Sequence, residues 1–315
     1  MGCASGGDPA RKSSDWCQKN GTKNIIMKIL TWLDRLYTHG WSRWPDDWRQ
    51  WLQGNKTKVV FTPNPEQLVM ATKNQLFANV LQQADILLPD GMGLLWADWW
   101  RQWRARRRSM IGERITGTDV VQWWLSQPAA RQERTLCIGG HEGVALALAK
   151  QFDTTETWCR GVGGIDNINV MVAAWNNQTH PTVTPEPPVT DSAASTLAAA
   201  EAEQRVLLQS IAEWRPTVVL VAFGAPGQEY WVQQSLPALQ SSGVKIAMVC
   251  GGAFDYLTGR VARAPASWRA LGLEWFYRLL HQPWRWRRQL ELLTFMRMVW
   301  QESWQGSRNT ETTSN

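Results

Sequence analysis

From Lys58 onward, short apolar runs alternate with stretches whose apolar residues recur at helical intervals, and this alternation constrains the fold more than any other feature of the chain. The runs are Val59–Phe61, Ile86–Leu88, Thr135–Ile138, Val218–Phe223 and Lys245–Cys250, with a weaker one at Thr157–Val162. Helical patterns such as Pro65–Leu81 and Val144–Phe152 separate most of them. Strand–helix alternation predicts an α/β fold, a mainly parallel sheet with helices on both faces. Right-handed crossovers then bring the loops after the strands to one edge of the sheet, where open sheets of this kind bind their ligands.

The 315 residues suffice to bury a large core. No uncharged apolar run reaches about 18 residues, so no membrane span is predicted. The chain does not open with the apolar core of a signal peptide, and Gly6 stands where a myristoylation signal needs Ser or Thr. Cys3, Cys17, Cys137, Cys159 and Cys250 are widely spaced and odd in number, which argues for free thiols in a reducing compartment. His39, His141, His180 and His281 are too scattered for a zinc site, and no metal is expected. The net charge is +6, and arginines gather at 101–108 and 278–297. Many of the 22 tryptophans lie beside these arginines. That pairing suits a phospholipid interface, where indole rings lie at headgroup depth and guanidinium meets phosphate. It also suits nucleic acid, and solvated helix faces with aromatic packing would produce it too.

Residues 1–57 read as an N-terminal extension: a polar start to about residue 24, expected to be disordered, then Trp-rich helices. Ile26, Ile29, Leu30, Leu33, Leu36 and Tyr37 recur at helical intervals, and a second Trp-rich helix is expected from Asp46 or Asp47 to Gln53. The catalytic α/β domain is placed at 58–270, and within it 176–200, rich in Asn, Thr, Pro, Ser and Ala, reads as a flexible surface insertion. Residues 271–304 form a C-terminal helical appendage broken near Pro283, with Trp286, Leu290, Leu293, Met296 and Trp300 in one apolar stripe. A disordered tail is expected at 305–315.

Several strand ends carry side chains suited to chemistry. Thr62 and Asn64 supply a hydroxyl and an amide, although Asn64 can equally cap the helix that Pro65 opens. Asp90, between Pro89 and Gly91, can serve as a general base if partly desolvated, or cap the next helix. Arg114 can bind phosphate or pair with a carboxylate. Gly139 and Gly140 open a Gly-rich turn before a helix, a diphosphate or nucleoside cradle that lacks the spacing of a dinucleotide fingerprint or a P-loop. Gln228 can exchange hydrogen bonds with sugar hydroxyls, or merely start a helix with Glu229. Gly251 and Gly252 let a backbone approach a ligand and Asp255 offers an acceptor, although a tight turn also accounts for the glycines. No Asp-x-Asp occurs, so a nucleotide-sugar enzyme with this sequence must neutralise its leaving diphosphate with arginines and helix N-termini.

Taken in order, Thr62-Pro63-Asn64, Pro89-Asp90-Gly91-x-Gly93, Glu113-Arg114-x-x-Gly117-x-Asp119, Gly224-x-Pro226-x-Gln228-Glu229, Gly251-Gly252-x-Phe254-Asp255, Arg263-Ala264-Pro265 and Gly272-Leu273-Glu274-Trp275-x-x-Arg278 resemble the WecG/TagA/CpsF glycosyltransferases. The resemblance covers roughly residues 58 to 300. It implies a Rossmann-like α/β core with no metal or other cofactor. It implies inverting transfer of N-acetylmannosamine, or a related sugar, from a UDP-sugar to a polyprenyl-diphosphate-linked N-acetylglucosamine in cell-surface polysaccharide synthesis. The protein would be peripheral on the cytoplasmic face of the plasma membrane, with no nucleic-acid partner; a homo-oligomer is compatible with this. By matching positions, Asp90 looks like the catalytic base, and Thr62, Asn64, Arg114 and Gln228 look like substrate-binding residues. Gly139, Gly140, Gly224, Gly251, Gly252, Phe254 and Asp255 fall on the nucleotide side. Arg278, Arg285 and Arg288 fall on the appendage, where they would bind diphosphate as it closes over the site at the membrane. Gly227 departs from the family, which often has Lys there.

Two other readings remain. An inactive Arg/Trp-rich membrane- or nucleic-acid-binding module on the same scaffold would tolerate loss of Asp90, and its binding to nucleic acid would fall steeply with salt. A nucleotide-dependent oxidoreductase is disfavoured by the missing dinucleotide fingerprint.

Overall fold

Residues 27–311 are described by a computed structural model, apart from 107, 141–142, 167, 180–190 and 282–285. The strands are β1 (Lys58–Phe61), β2 (Ile86–Leu87), β3 (Thr135–Gly139), β4 (Cys159–Val162), β5 (Val218–Ala222) and β6 (Ile246–Val249). They form one sheet in the order β2-β1-β6-β5-β3-β4, with every neighbouring pair parallel. This is the α/β sheet that the alternation predicts, and the weak run at 157–162 supplies its edge strand β4.

The helices before β3 are α1 (Ile29–Leu33), α2 (Gly40–Gln53), α3 (Pro65–Lys73), α4 (Gln75–Gln82), α5 (Met92–Arg104) and α6 (Gly117–Ser126). Between β3 and β6 come α7 (Val144–Phe152), α8 (Ile168–Thr179), α9 (Asp191–Trp214) and α10 (Gly227–Ser241). After β6 follow α11 (Ala253–Leu257), α12 (Ala266–Ala270), α13 (Glu274–His281) and α14 (Trp286–Glu311).

Side chains alternate along each strand, so neighbouring residues feed opposite layers. Val59, Phe61, Val219, Val221 and Val249 enter a core shared with α1, α3, α4, α5, α8, α9, α10 and α14. Val60, Val218, Leu220, Ile246 and Met248 enter a second core shared with α2, α6, α7 and α11. Helices therefore cover both faces, and the strand-end loops are left as the sheet's open edge.

The N-terminal helices belong to this body. Leu36 bridges to Leu87 in parallel and the Tyr37 N–H donates to the Leu87 carbonyl at 2.8 Å, which lengthens the sheet at its β2 edge. Trp44, Trp48 and Trp51 recur along one face of α2 and pack on Trp123 and Trp124 of α6; the Trp48 and Trp124 rings lie 5.4 Å apart. Trp44, Trp48, Trp51 and Trp124 are buried and Trp123 partly so, so these indoles form a wedge between helices rather than a surface patch.

The C-terminal helix is equally embedded. α14 packs against α1, α3 and α5, with Phe295 and Val299 fully buried. Its Glu302 carboxylate accepts hydrogen bonds from the Ile29 and Leu30 N–H groups at 3.1 and 3.0 Å, so it satisfies donors that every helix start leaves open. Lys73 and Glu291 pair at 3.1 Å between α3 and α14. In the expected apolar stripe, Met296 packs against the core, whereas Trp286, Leu290, Leu293 and Trp300 are exposed. Trp99, Trp103 and Trp304 are exposed as well, and the Arg104 guanidinium lies 4.2 Å over the Trp304 ring.

Three boundaries differ from expectation. α2 begins at Gly40 rather than at Asp46 or Asp47, with Pro45 in its second turn, so the proline does not mark the helix start. α14 continues to Glu311, past the expected tail start at 305, and residues 312–315 lie outside the described residues. The stretch 176–200 reads in sequence as a flexible insertion, but α8 and α9 enter it from either side. α9 buries Ala200, Leu207 and Ile211 against the sheet layer; its Ala/Glu-rich sequence is strongly helix-forming. The expected disorder at 1–24 lies outside the described residues. Among the described residues, no helix is long and apolar enough to cross a membrane.

Candidate active site

The loops after the strands enclose a cleft of about 1100 Å³. At the end of β1, the buried Thr62 hydroxyl donates to the Val249 carbonyl at 3.4 Å, tying β1 to β6. Asn64 caps α3: its side chain accepts the Gln67 N–H at 2.9 Å, and the Gln67 side chain accepts the Asn64 N–H at 3.1 Å. Asn64 also lines the cleft, so capping α3 does not withdraw it from the strand-end loops.

The loop after β2 carries Asp90. Its N–H donates to the Pro63 carbonyl and the Pro89 carbonyl accepts the Ile115 N–H, both at 3.3 Å. A Cβ on Gly93 would lie 2.8 Å from Pro65 and 3.0 Å from Leu292, so only glycine lets α5 begin this close to α3 and α14. The half-buried Asp90 side chain lines the cleft and makes no hydrogen bond or ion pair among the described residues. Burial pushes its carboxyl up to about 6, against the pull of Arg114 and Arg278, while Glu274 and Asp119 add to the rise. At neutral pH Asp90 is thus ionised, accessible and more basic than a solvated carboxylate.

Guanidinium groups face it. Arg114 pairs with Glu274 at 2.9 Å, and Arg263 pairs with Asp119 at 2.6 Å and approaches Glu274 at 3.8 Å. Arg278 lies 5.2 Å over the Tyr256 ring, and Arg260 stands 4.0 Å from Asp255. All four arginines line the cleft, which suits a diphosphate. Arg114 therefore takes the carboxylate pairing read from the sequence while still lining the cleft. Among the described residues no group of three or more His, Cys, Asp or Glu side chains is placed to hold a metal ion.

Gly140, Gly224, Gly251, Gly252 and Asp255 line the remaining wall with Phe223. Gln228 lines it too, but only 2 % of it is exposed. Its carbonyl oxygen accepts the Gly251 N–H at 3.2 Å and its amide donates to Glu229 at 3.0 Å. Two residues expected on the nucleotide side do not reach the cleft. Phe254 is fully buried in the layer of α2, α6 and α7, where its apolar ring belongs, and it backs Gly140. Gly139 is the buried last residue of β3, against Phe223 and Ala222. Arg285 lies outside the described residues, as do His141 and Glu142; Arg288 is on α14, with its side chain outside them. A Cβ on Gly227 would lie 2.9 Å from Ile168, so α8 occupies the space a lysine would need there.

Sequence reasoning gave no role to Glu274, Arg260 or Arg263, although the motifs containing Glu274 and Arg263 were visible. It also passed over Glu229, which is 0 % exposed. Burial pushes the Glu229 carboxyl up, opposed by hydrogen bonds from Gln228, its own N–H and Gln67.

The family model described as Glycosyl transferase WecG/TagA/CpsF family matches residues 33–309. A Bacillus subtilis (strain 168) relative is 27% identical over 245 residues, covering 78% of this chain and 79% of its own. A Bacillus spizizenii (strain ATCC 23059 / NRRL B-14472 / W23) relative is 28% identical over 253 residues, covering 79% of this chain and 81% of its own. Each is an N-acetylglucosaminyldiphosphoundecaprenol N-acetyl-beta-D-mannosaminyltransferase.

Proposed function

The chain belongs to the WecG/TagA/CpsF glycosyltransferase family, and from that premise we propose that it moves N-acetylmannosamine, or a related sugar, from a UDP-sugar to a polyprenyl-diphosphate-linked N-acetylglucosamine. The observation that carries this reading is Asp90, an unpaired carboxylate at about 6 in a cleft that four arginines also line. Asp90 takes the proton from the acceptor 4-hydroxyl as that oxygen attacks the anomeric carbon. The new carbon–oxygen bond forms on the face opposite the departing UDP, so the configuration inverts. Arg114, Arg260, Arg263 and Arg278 neutralise the leaving diphosphate, and no metal ion is required.

The acceptor assignment draws on the two relatives, whose names specify an undecaprenol-linked acceptor. Exposed Trp99, Trp103, Trp286, Trp300 and Trp304 support a peripheral position on the membrane, where such a lipid resides. The site would face the cytoplasm, the compartment that holds nucleotide sugars.

The test is transfer from UDP-N-acetylmannosamine to a lipid-diphosphate-N-acetylglucosamine analogue, with and without EDTA. Product with the inverted anomeric configuration is expected at the same rate in both. Abolition by EDTA contradicts the metal-free step, and no transfer from any UDP-sugar contradicts the reading as a whole.

A pH profile tests the base separately. Because Asp90 acts ionised, kcat/KM should fall as pH drops through about 6. Glu274→Gln removes a negative charge that raises the Asp90 carboxyl and frees Arg114 to pull it lower, so the acidic limb should move to lower pH. A limb that stays in place assigns the titration to another group.

A further inference from the structure

Beneath the cleft, one side chain joins three of its walls. Glu229 sits in the first turn of α10, fully buried. Its Oε1 accepts the Gln67 amide at 2.8 Å and the Gln228 amide at 3.0 Å. The far ends of those two amides are also engaged. The Gln67 oxygen accepts the Asn64 N–H, and the Gln228 oxygen accepts the Gly251 N–H. From the start of the helix after β5, Glu229 thereby reaches the loop after β1 through Gln67 and the loop after β6 through Gln228. Its second oxygen, Oε2, is buried without a hydrogen-bond partner.

An amide side chain can bind either way round, because its oxygen and nitrogen occupy nearly the same shape. A carboxylate only accepts. Placed between two glutamines, it obliges both to turn their NH2 groups inward and their oxygens outward. The outward oxygens are what the Asn64 and Gly251 N–H groups need. Burying a carboxylate in this way costs stability, whereas an apolar side chain would fill the same space at less cost.

We propose that Glu229 is a positioning residue, whose carboxylate sets the orientation of the Gln67 and Gln228 amides and through them the placement of Asn64 and the Gly251 turn around the substrate. The inference builds on the glycosyltransferase reading but does not share its test. Glu229 touches no reacting atom; it acts through the two amides.

Glu229→Met keeps the length of the side chain and removes the acceptor. Glu229→Gln keeps one acceptor oxygen, and the inward-facing amides favour its pointing toward them. Hydrogen–deuterium exchange on the full chain is the first measurement. In Glu229→Met, exchange should rise roughly threefold to tenfold in peptides covering 62–68 and 249–255, with β3 unchanged. In Glu229→Gln those peptides should return most of the way to wild type. Transfer is the second measurement: kcat should fall about a hundredfold in Glu229→Met and largely recover in Glu229→Gln. A rise in exchange spread evenly over the chain reduces Glu229 to a packing role and overturns the proposal. So does unaltered exchange, or wild-type kcat in Glu229→Met. If the wild type transfers no sugar while the local exchange pattern is as described, the enzymatic reading fails and the positioning role stands.

Discussion

Asp90→Asn is expected to lower kcat by about a hundredfold to ten-thousandfold, the range over which a general base contributes, with less change in KM for the donor. The substitution preserves shape and removes only the ability to take a proton. Asp90 has no partner to lose among the described residues, so no neighbouring group is orphaned. The same change should stabilise the fold. Burial raises the Asp90 carboxyl from 3.8 to about 6, so the ionised form destabilises the native state by up to about 3 kcal/mol before solvent screening reduces it. The native state holds the proton more tightly than the unfolded chain, so this penalty is absent below about pH 4 and complete above about pH 6. The gain in Tm from Asp90→Asn should therefore be largest at pH 7–8 and vanish near pH 4. Calorimetry across that range, beside single-turnover transfer, separates the two effects. Full turnover in Asp90→Asn would transfer the base to another residue. A destabilised variant would mean the carboxylate has a favourable partner in solution.

Trp48→Ala should produce the largest loss of stability, about 3–5 kcal/mol, a large share of the margin of an ordinary domain. Trp48 is fully buried between Trp44, Trp51, Trp123 and Trp124, with ring centroids 5.4 to 6.4 Å away. Removing it empties a space walled by rigid rings that cannot collapse inward. Urea unfolding followed by far-UV circular dichroism measures the effect without relying on the other tryptophans. Trp48 lines no wall of the cleft, so the folded fraction should keep its turnover. A loss below about 1 kcal/mol would mean that α2 is not part of the cooperative unit.

The central strands were legible because both of their faces are buried. Val218–Ala222 and Ile246–Val249 are apolar at every position, a pattern that little else in a globular chain produces. The helix containing Ala200 was hidden by its neighbourhood, since the prolines at 181–188 lent a loop-like composition to a window that cut across the helix-forming run Leu-Ala-Ala-Ala-Glu-Ala-Glu at 197–203. Trp44, Trp48 and Trp51 announced a helix face, but periodicity cannot say whether such a face meets lipid, solvent or another helix. The site divides in the same way. Asp90, Asn64 and Arg114 are polar groups at the ends of apolar runs or in Gly-rich turns, where the chain has left the core, and all three line the cleft. Phe254 sat beside a ligand loop in sequence while its ring turned into the core, a direction set by tertiary packing. Glu229 reads locally as the start of a helix; its significance depends on Gln67, 162 residues away.

The Glu302 cap on α1 has a consequence for biosynthesis. The helix start at Ile29 leaves the ribosome long before its acceptor exists, since 273 residues separate the two. At about 5–20 residues per second, on the order of 15 to 55 s passes in between. During that interval the nascent chain can complete the parallel sheet, but α1 keeps open amide groups and an uncovered apolar side. The seam between α1 and α14 is therefore closed last, and a ribosome halted before residue 302 should display an otherwise folded domain in which α1 is still sensitive to protease.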